Sequence, residues 1–220
     1  MPKDESPHVT IRRMADYLTA PGAHQRLTII HSMKSRLGKR RFAPFYQVSR
    51  NAIRAYHSGE NDILEHEVQR LLRERREAIK PSDLTKIDNN LRVLTDYIGS
   101  FADEDVAHVN GRFDPLMVNG VRITVEPTLS GQILAGKQRF HANILIDTQA
   151  AEPNDDEIDY VLELLHRGSG ATRPAPPKGA QYWHPSSGGS WYLNRSSKRR
   201  WQDIQDAAAE IALRWPTIQV

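Results

Sequence analysis

The chain has no cysteine, so disulfide frameworks, thiol nucleophiles and thiolate zinc sites are excluded. Long apolar runs are missing too. None approaches the ~20 residues of a membrane-crossing helix, and the start MPKDESPHVT carries no apolar signal core. A cytoplasmic location with no membrane partner is expected. The nine histidines never fall into an HxxxH or comparable metal spacing. Walker A, GxGxxG and GxSxG sequences are absent, which leaves nucleotide hydrolysis, dinucleotide-dependent transfer and elbow-type hydrolysis without a motif. Spacing alone therefore predicts no metal site and no cofactor.

What is present suits a folded core. Of 220 residues, 39% are hydrophobic and 26% charged, enough for one large domain or two small ones. Apolar residues recur at helical spacing through the first half. Ile11, Met14, Ala15 and Leu18 form one stripe, ended by Pro21-Gly22; Leu27, Ile30 and Met33 form a second over 23–36. A third helix runs to about His57 with Val48, Ala52, Ile53 and Tyr56 inward. The fourth, over 62–79, carries Ile63, Leu64, Val68, Leu71 and Leu72. The fifth, capped by Ser82 and ending near Phe101, carries Leu84, Ile87, Leu91, Leu94 and Ile98. These spacings predict an N-terminal helical bundle over 1–102, a polar linker at 103–115 and an α+β domain over 116–220.

The second half changes period. Val121, Ile123 and Val125 alternate with Arg122, Thr124 and Glu126. Farther on, Phe140, Ala142, Ile144 and Ile146 alternate with Arg139, His141, Asn143 and, past Leu145, Asp147. Pro127, Gly131 and Gly136 read as the turn between two paired strands. Pairing would gather Glu126, Lys137, Arg139, His141 and Asn143 on one surface. A helix opened by Pro153-Asn154-Asp155-Asp156 follows, then a Gly- and Pro-rich loop over 168–179. A QYWH/SWYLN hairpin and a last helix capped by Ser197 complete the chain. The fold expected for this half is a small mixed sheet of about four strands packed by two helices.

Positive charge is clustered rather than abundant: the formal net charge is only +3. One cluster, Lys34, Arg36, Lys39, Arg40 and Arg41, is followed by Phe42, Phe45 and Tyr46. A second, Arg195, Lys198, Arg199 and Arg200, lies beside Trp191, Tyr192 and Trp201 at the start of the last helix. There the helix dipole disfavours cations, so the run points to an anionic partner. Phosphate contacts need several cations close together, and aromatic rings stack on exposed bases. Both clusters also fit solvated surface, with their aromatics in the core. Two of them together point to nucleic-acid contact.

The strand-pair region resembles the PD-(D/E)XK restriction-endonuclease-like superfamily. Glu126-Pro127-Thr128 stands where Pro-Asp would, and Ala135-Gly136-Lys137 where an acid, a spacer and Lys would, with a helix after them. The resemblance covers about 116–166. It implies two carboxylates holding Mg²⁺ and a Lys that positions or activates water. Only the Lys matches, so it implies a metal site lost or rebuilt from Glu126, His141 or Asp147. Glu126, Lys137 and His141 are the catalytic candidates, and plain exposed-face polarity is the readier explanation of them.

The preferred reading is a cytoplasmic, bacterial-type protein that binds nucleic acid and carries a nuclease-like, catalytically inactive C-terminal domain. A non-enzymatic assembly subunit with a protein partner is the first alternative. A metal-dependent nuclease with a rebuilt site, using Mg²⁺, is the second.

Overall fold

Helices form where stripes and caps place them. They are α1 (Ile11–Thr19), α2 (Ala23–Ser35), α3 (Gln47–Tyr56), α4 (Ile63–Glu77), α5 (Pro81–Phe101), α6 (Asp155–Gly168) and α7 (Lys198–Arg214). The structure is a computed structural model that describes residues 6–35, 45–109, 113–135, 138–169 and 175–218. Thr10 accepts a hydrogen bond from Arg13 N (3.3 Å) at the start of α1, and Asn154 one from Glu157 N (2.8 Å) at the start of α6. The start of α5 differs from expectation. Pro81, not Ser82, opens it, because a proline's fixed φ and missing N–H suit the first helical position.

The buried face of α5 is also rotated. Ile87, Asn90, Val93, Leu94, Tyr97 and Phe101 are buried while Ile98 is exposed. Two large aromatics and a polar tie set this orientation. The side-chain oxygen of Asn90 accepts from Ser49 N (3.1 Å), and its amide donates to Phe45 O (3.0 Å). Asn90 thus satisfies an N-terminal N–H of α3, whose own capping residue makes no side-chain bond.

Two mixed sheets complete a mixed α+β fold. The strands are β1 (His8–Thr10), β2 (Val106–His108), β3 (Leu116–Val118), β4 (Val121–Thr124), β5 (Leu129–Ala135), β6 (Gln138–Ile146), β7 (Ala180–His184) and β8 (Gly189–Tyr192). The larger sheet has five strands in the order β2-β5-β6-β7-β8, and the smaller has three, β1-β4-β3. Among the described residues, the β6–β7 and β1–β4 pairs are parallel and the other pairs antiparallel. The helix α6 makes the crossover from β6 to β7, as a parallel pair requires.

The expected strand pair is corrected. The strand at 121–124 does not pair with β6; it pairs with β1 and β3. The partner of β6 is β5, the stretch read as a turn, in the register Leu129↔Ile144 to Ala135↔Gln138. Gly131 explains the misreading. It is a strand glycine rather than a turn glycine, because a Cβ there would lie 1.9 Å from Ala107 O of β2.

Helices cover both faces of the five-stranded sheet. Leu129, Ile133, Ala142, Ile144, Ile146 and Trp183 pack with buried residues of α3, α4 and α5, and Phe101 stacks on Trp183 with ring centroids 4.8 Å apart. Leu145, Ala180 and Tyr182 face the other way, into a core built with α1, α2, α6, α7 and the small sheet. The sheet therefore has five strands rather than about four, and more than two helices pack it. The first two helices, expected in a unit over 1–102, pack with the C-terminal half, and β2 lies within the expected linker 103–115.

Candidate nucleic-acid interface

The second basic cluster sits where β8 passes into α7, above a buried carboxylate. Glu163 of α6 is 0% exposed. Its Oε2 accepts from Ser197 N (2.9 Å), and its Oε1 from Ser196 Oγ (2.5 Å) and Arg167 Nε (3.0 Å). Burial alone would raise its pKa. The Ser196 hydroxyl, the Ser197 N–H and Arg167 outweigh burial and hold it below the ordinary carboxylate range. Ser197 in turn caps α7 by accepting from Arg200 N (3.3 Å). The side chain of Arg200 turns back to Asp159 (3.0 Å) and Glu163 (3.9 Å), and the Arg167 guanidinium lies 4.9 Å from the centre of the Trp201 ring. One carboxylate thus fixes the connection, the cap and two arginines.

Above this anchor opens a cleft of about 680 Å³ whose lining includes Tyr192, Asn194, Arg195 and Lys198. Arg195, Lys198 and the adjacent Arg199 are exposed, and none has an ion-pair partner among the described residues. Tyr192 is 57% exposed, so its ring is open to solvent beside these cations. Three free cations and an open ring on a fixed scaffold offer phosphate contact and base stacking together.

The other candidates are placed less uniformly. Lys34 is engaged internally, donating to Trp215 O (2.7 Å) and Ile218 O (2.8 Å). Arg36, Lys39, Arg40, Arg41 and Lys137 lie outside the described residues. Glu126 is exposed beyond β4, while His141 stands in β6 of the other sheet. His141 Nε2 lies 3.1 Å from Ser130 Oγ, and that hydroxyl donates to Asn143 Oδ1 (2.9 Å). No group of three or more His, Asp or Glu with metal-holding geometry occurs among the described residues. No helix among them is long and apolar enough to cross a membrane.

A further polar centre escaped sequence reasoning. Asp147, at the end of β6, pairs with Arg12 of α1 and accepts from the Tyr182 hydroxyl, while Arg12 Nη2 donates to that hydroxyl (2.8 Å). Burial, then the Asp147 charge, pushes the Tyr182 hydroxyl up, so it remains a donor. Burial opposes the Arg12 charge, but Asp147 and Tyr182 together outweigh it and hold the proton more firmly than usual. The sequence offered Asp147 only as a residue for a rebuilt metal site, and its partners Arg12 and Tyr182 carried no signal. No protein-family model matches this chain, and no curated protein or solved structure matches it.

Proposed function

We propose that the protein binds nucleic acid through the cleft at the start of α7. Arg195, Lys198 and Arg199 contact successive phosphates, and Tyr192 stacks on a base. The observation that carries this is the set of three exposed, unpaired cations beside an aromatic ring 57% open to solvent. Arg200 and Lys34 contribute by fixing the scaffold rather than by touching phosphate. The open ring favours single-stranded ligands, because bases in a duplex offer no free face.

Binding without cleavage is the second half of the reading. The nuclease-like resemblance would need Glu126 and the stretch around Lys137 on neighbouring strands, and Glu126 follows β4, which belongs to the other sheet. Thr128 takes the acidic position, and its Oγ1 accepts from Ile146 N (3.1 Å) as a clamp between the strands. Ala135 ends β5, so Thr128 and Ala135 stand about 23 Å apart at ~3.3 Å per residue. That span is too long for one Mg²⁺ to bridge.

Anisotropy with labelled single-stranded DNA, RNA and duplex DNA across a salt series tests the proposal. Replacing Arg195, Lys198 and Arg199 with Ala should weaken binding and lower the salt slope by about 0.7–0.9 per lost phosphate contact. Unchanged affinity and slope in a folded variant would refute it. Mg²⁺- or Mn²⁺-dependent cleavage lost in Lys137→Ala or Glu126→Ala would favour the nuclease alternative.

A further inference from the structure

Beyond the carboxyl ends of the parallel pair β6 and β7, a buried histidine holds an exposed serine. His184 ends β7 and is 1% exposed, while Ser187 stands three residues on, at the surface. The Nδ1 of His184 lies 2.8 Å from Ser187 Oγ, and its Nε2 lies 3.2 Å from Gln149 O, in the segment that follows β6. A carbonyl oxygen can only accept, so Nε2 carries the proton of the neutral ring and Nδ1 offers its lone pair to the Ser187 hydroxyl. The other acceptor within reach of that hydroxyl, His184 O, is farther away at 3.5 Å. Gly189 N–H donates to the same Oγ (3.3 Å).

The turn that carries Ser187 is fixed. Pro185 O accepts from Gly188 N (3.1 Å) and from Ser100 Oγ of α5 (3.2 Å), and Gly188 takes a left-handed φ of 68° that suits glycine. Arg92 of α5, paired with Asp96 at 3.4 Å, also donates to Thr148 O (2.7 Å) and to the hydroxyl of Ser186. Positive charge therefore stands beside the turn, where a carbonyl oxygen would gain negative charge. A serine that only closed a turn would bond the backbone. Here a ring removed from water, with its far nitrogen tied to a carbonyl, aims its lone pair at a hydroxyl open to solvent. Nucleophile, base and orienting group follow one another as an activated serine requires. The place is also the one where α/β sheets hold ligands, outside the carboxyl ends of strands.

We propose that Ser187 is a nucleophile, with His184 as its general base, that takes the acyl group of a carboxylic ester. Ser187 Oγ attacks the ester carbonyl carbon as its proton passes to His184 Nδ1. The tetrahedral adduct then expels the alcohol oxygen, which takes that proton from His184, and Ser187 is left acylated. Water, deprotonated by the same nitrogen, attacks the acyl carbon; Ser187 Oγ leaves with the proton, and the carboxylic acid is freed. Because the hydroxyl lies at the surface, the substrates are short acyl esters that need no deep acyl pocket. The site is separate from the α7 cleft and does not rest on it.

A fluorophosphonate probe, which loses fluoride to an activated serine, and p-nitrophenyl acetate test this on the full chain without nucleic acid. Peptide mass spectrometry should place the label on Ser187, and p-nitrophenol should be released faster than in buffer. Ser187→Ala should abolish label and release, and Ser186→Ala should keep both. His184→Gln should slow labelling by about 100-fold. A change at a buried ring also disturbs packing, so the unmodified protein supplies a second measure. Its labelling rate should fall as pH drops through the ionisation of His184, followed by NMR of the ring protons. No label, label on another residue, label or release kept in Ser187→Ala, or a rate indifferent to that ionisation would overturn the proposal.

Discussion

Glu163 and Asp147 are both buried carboxylates that face arginine, yet their surroundings are balanced differently. Glu163 meets Arg167 and Arg200, two hydrogen bonds from Ser196 and Ser197, and Asp159 shares the load of Arg200. Every cation near it is matched, and the surplus charge on Arg195, Lys198 and Arg199 points outward. Asp147 pairs with Arg12 and accepts from the Tyr182 hydroxyl and Gln149 N, and Glu157 stands in the field of the same arginine. The first carboxylate fixes a loop and a helix cap near the surface, whereas the second joins α1 to the end of β6 through a single arginine and a phenol.

Removing each carboxylate sharpens the contrast. Asp147→Asn should have the largest effect, about 3–5 kcal/mol of stability, because it leaves the Arg12 guanidinium without its buried partner. Urea unfolding measures it, and a loss below about 1 kcal/mol would erase the contrast. Glu163→Gln should cost less, about 2–3 kcal/mol, because Arg167 and Arg200 reach solvent and rehydrate. Nucleic-acid affinity should fall with it as the Ser196–Ser197 connection loosens.

Smaller effects come from pH. Burial lowers the pKa of His57, which meets the Tyr97 hydroxyl (2.6 Å) and Val106 O (3.1 Å). The unfolded chain binds that proton more readily, so stability is full above about pH 6.5 and falls as pH drops toward the folded value. Glu163 behaves in the same sense at lower pH. Its stabilisation is present above the ordinary carboxylate value near 4.3 and is lost as pH falls through its depressed folded value. In His57→Gln the first decline should vanish while the second remains, which chemical unfolding at stepped pH would resolve. The smallest change is expected for Arg199→Ala alone: stability within about 0.5 kcal/mol, with a shallower salt slope for nucleic acid.

The helices were legible because each carries its own apolar stripe and most carry a local cap. The pairing of strands was not. In β5, Ser130 and Gly131 break the apolar alternation, and only the approach of Ala107 gives the glycine its reason. The strand β1 is three residues long, too short for any periodicity, and is recognisable only by its partner β4. Of the candidate site, the cluster at Arg195–Arg200 was readable as charge beside aromatics. The role of Glu163 was not, since it sits in a helix whose apolar residues alone suggested burial.

The hydrogen bonds from Lys34 to Trp215 and Ile218 join positions 181 and 184 residues apart, and the face of α1 that holds Met14 and Tyr17 packs on α6 and α7. During synthesis α1 leaves the ribosome long before α6 exists. At ~5–20 residues per second its apolar face waits roughly 10–30 s for a partner. The opening segment of the polypeptide is therefore a client for whatever shields nascent chains, and its docking is a late closing event in folding. A stalled or C-terminally shortened product would be released with that face uncovered, and aggregation rather than partial function would be its fate.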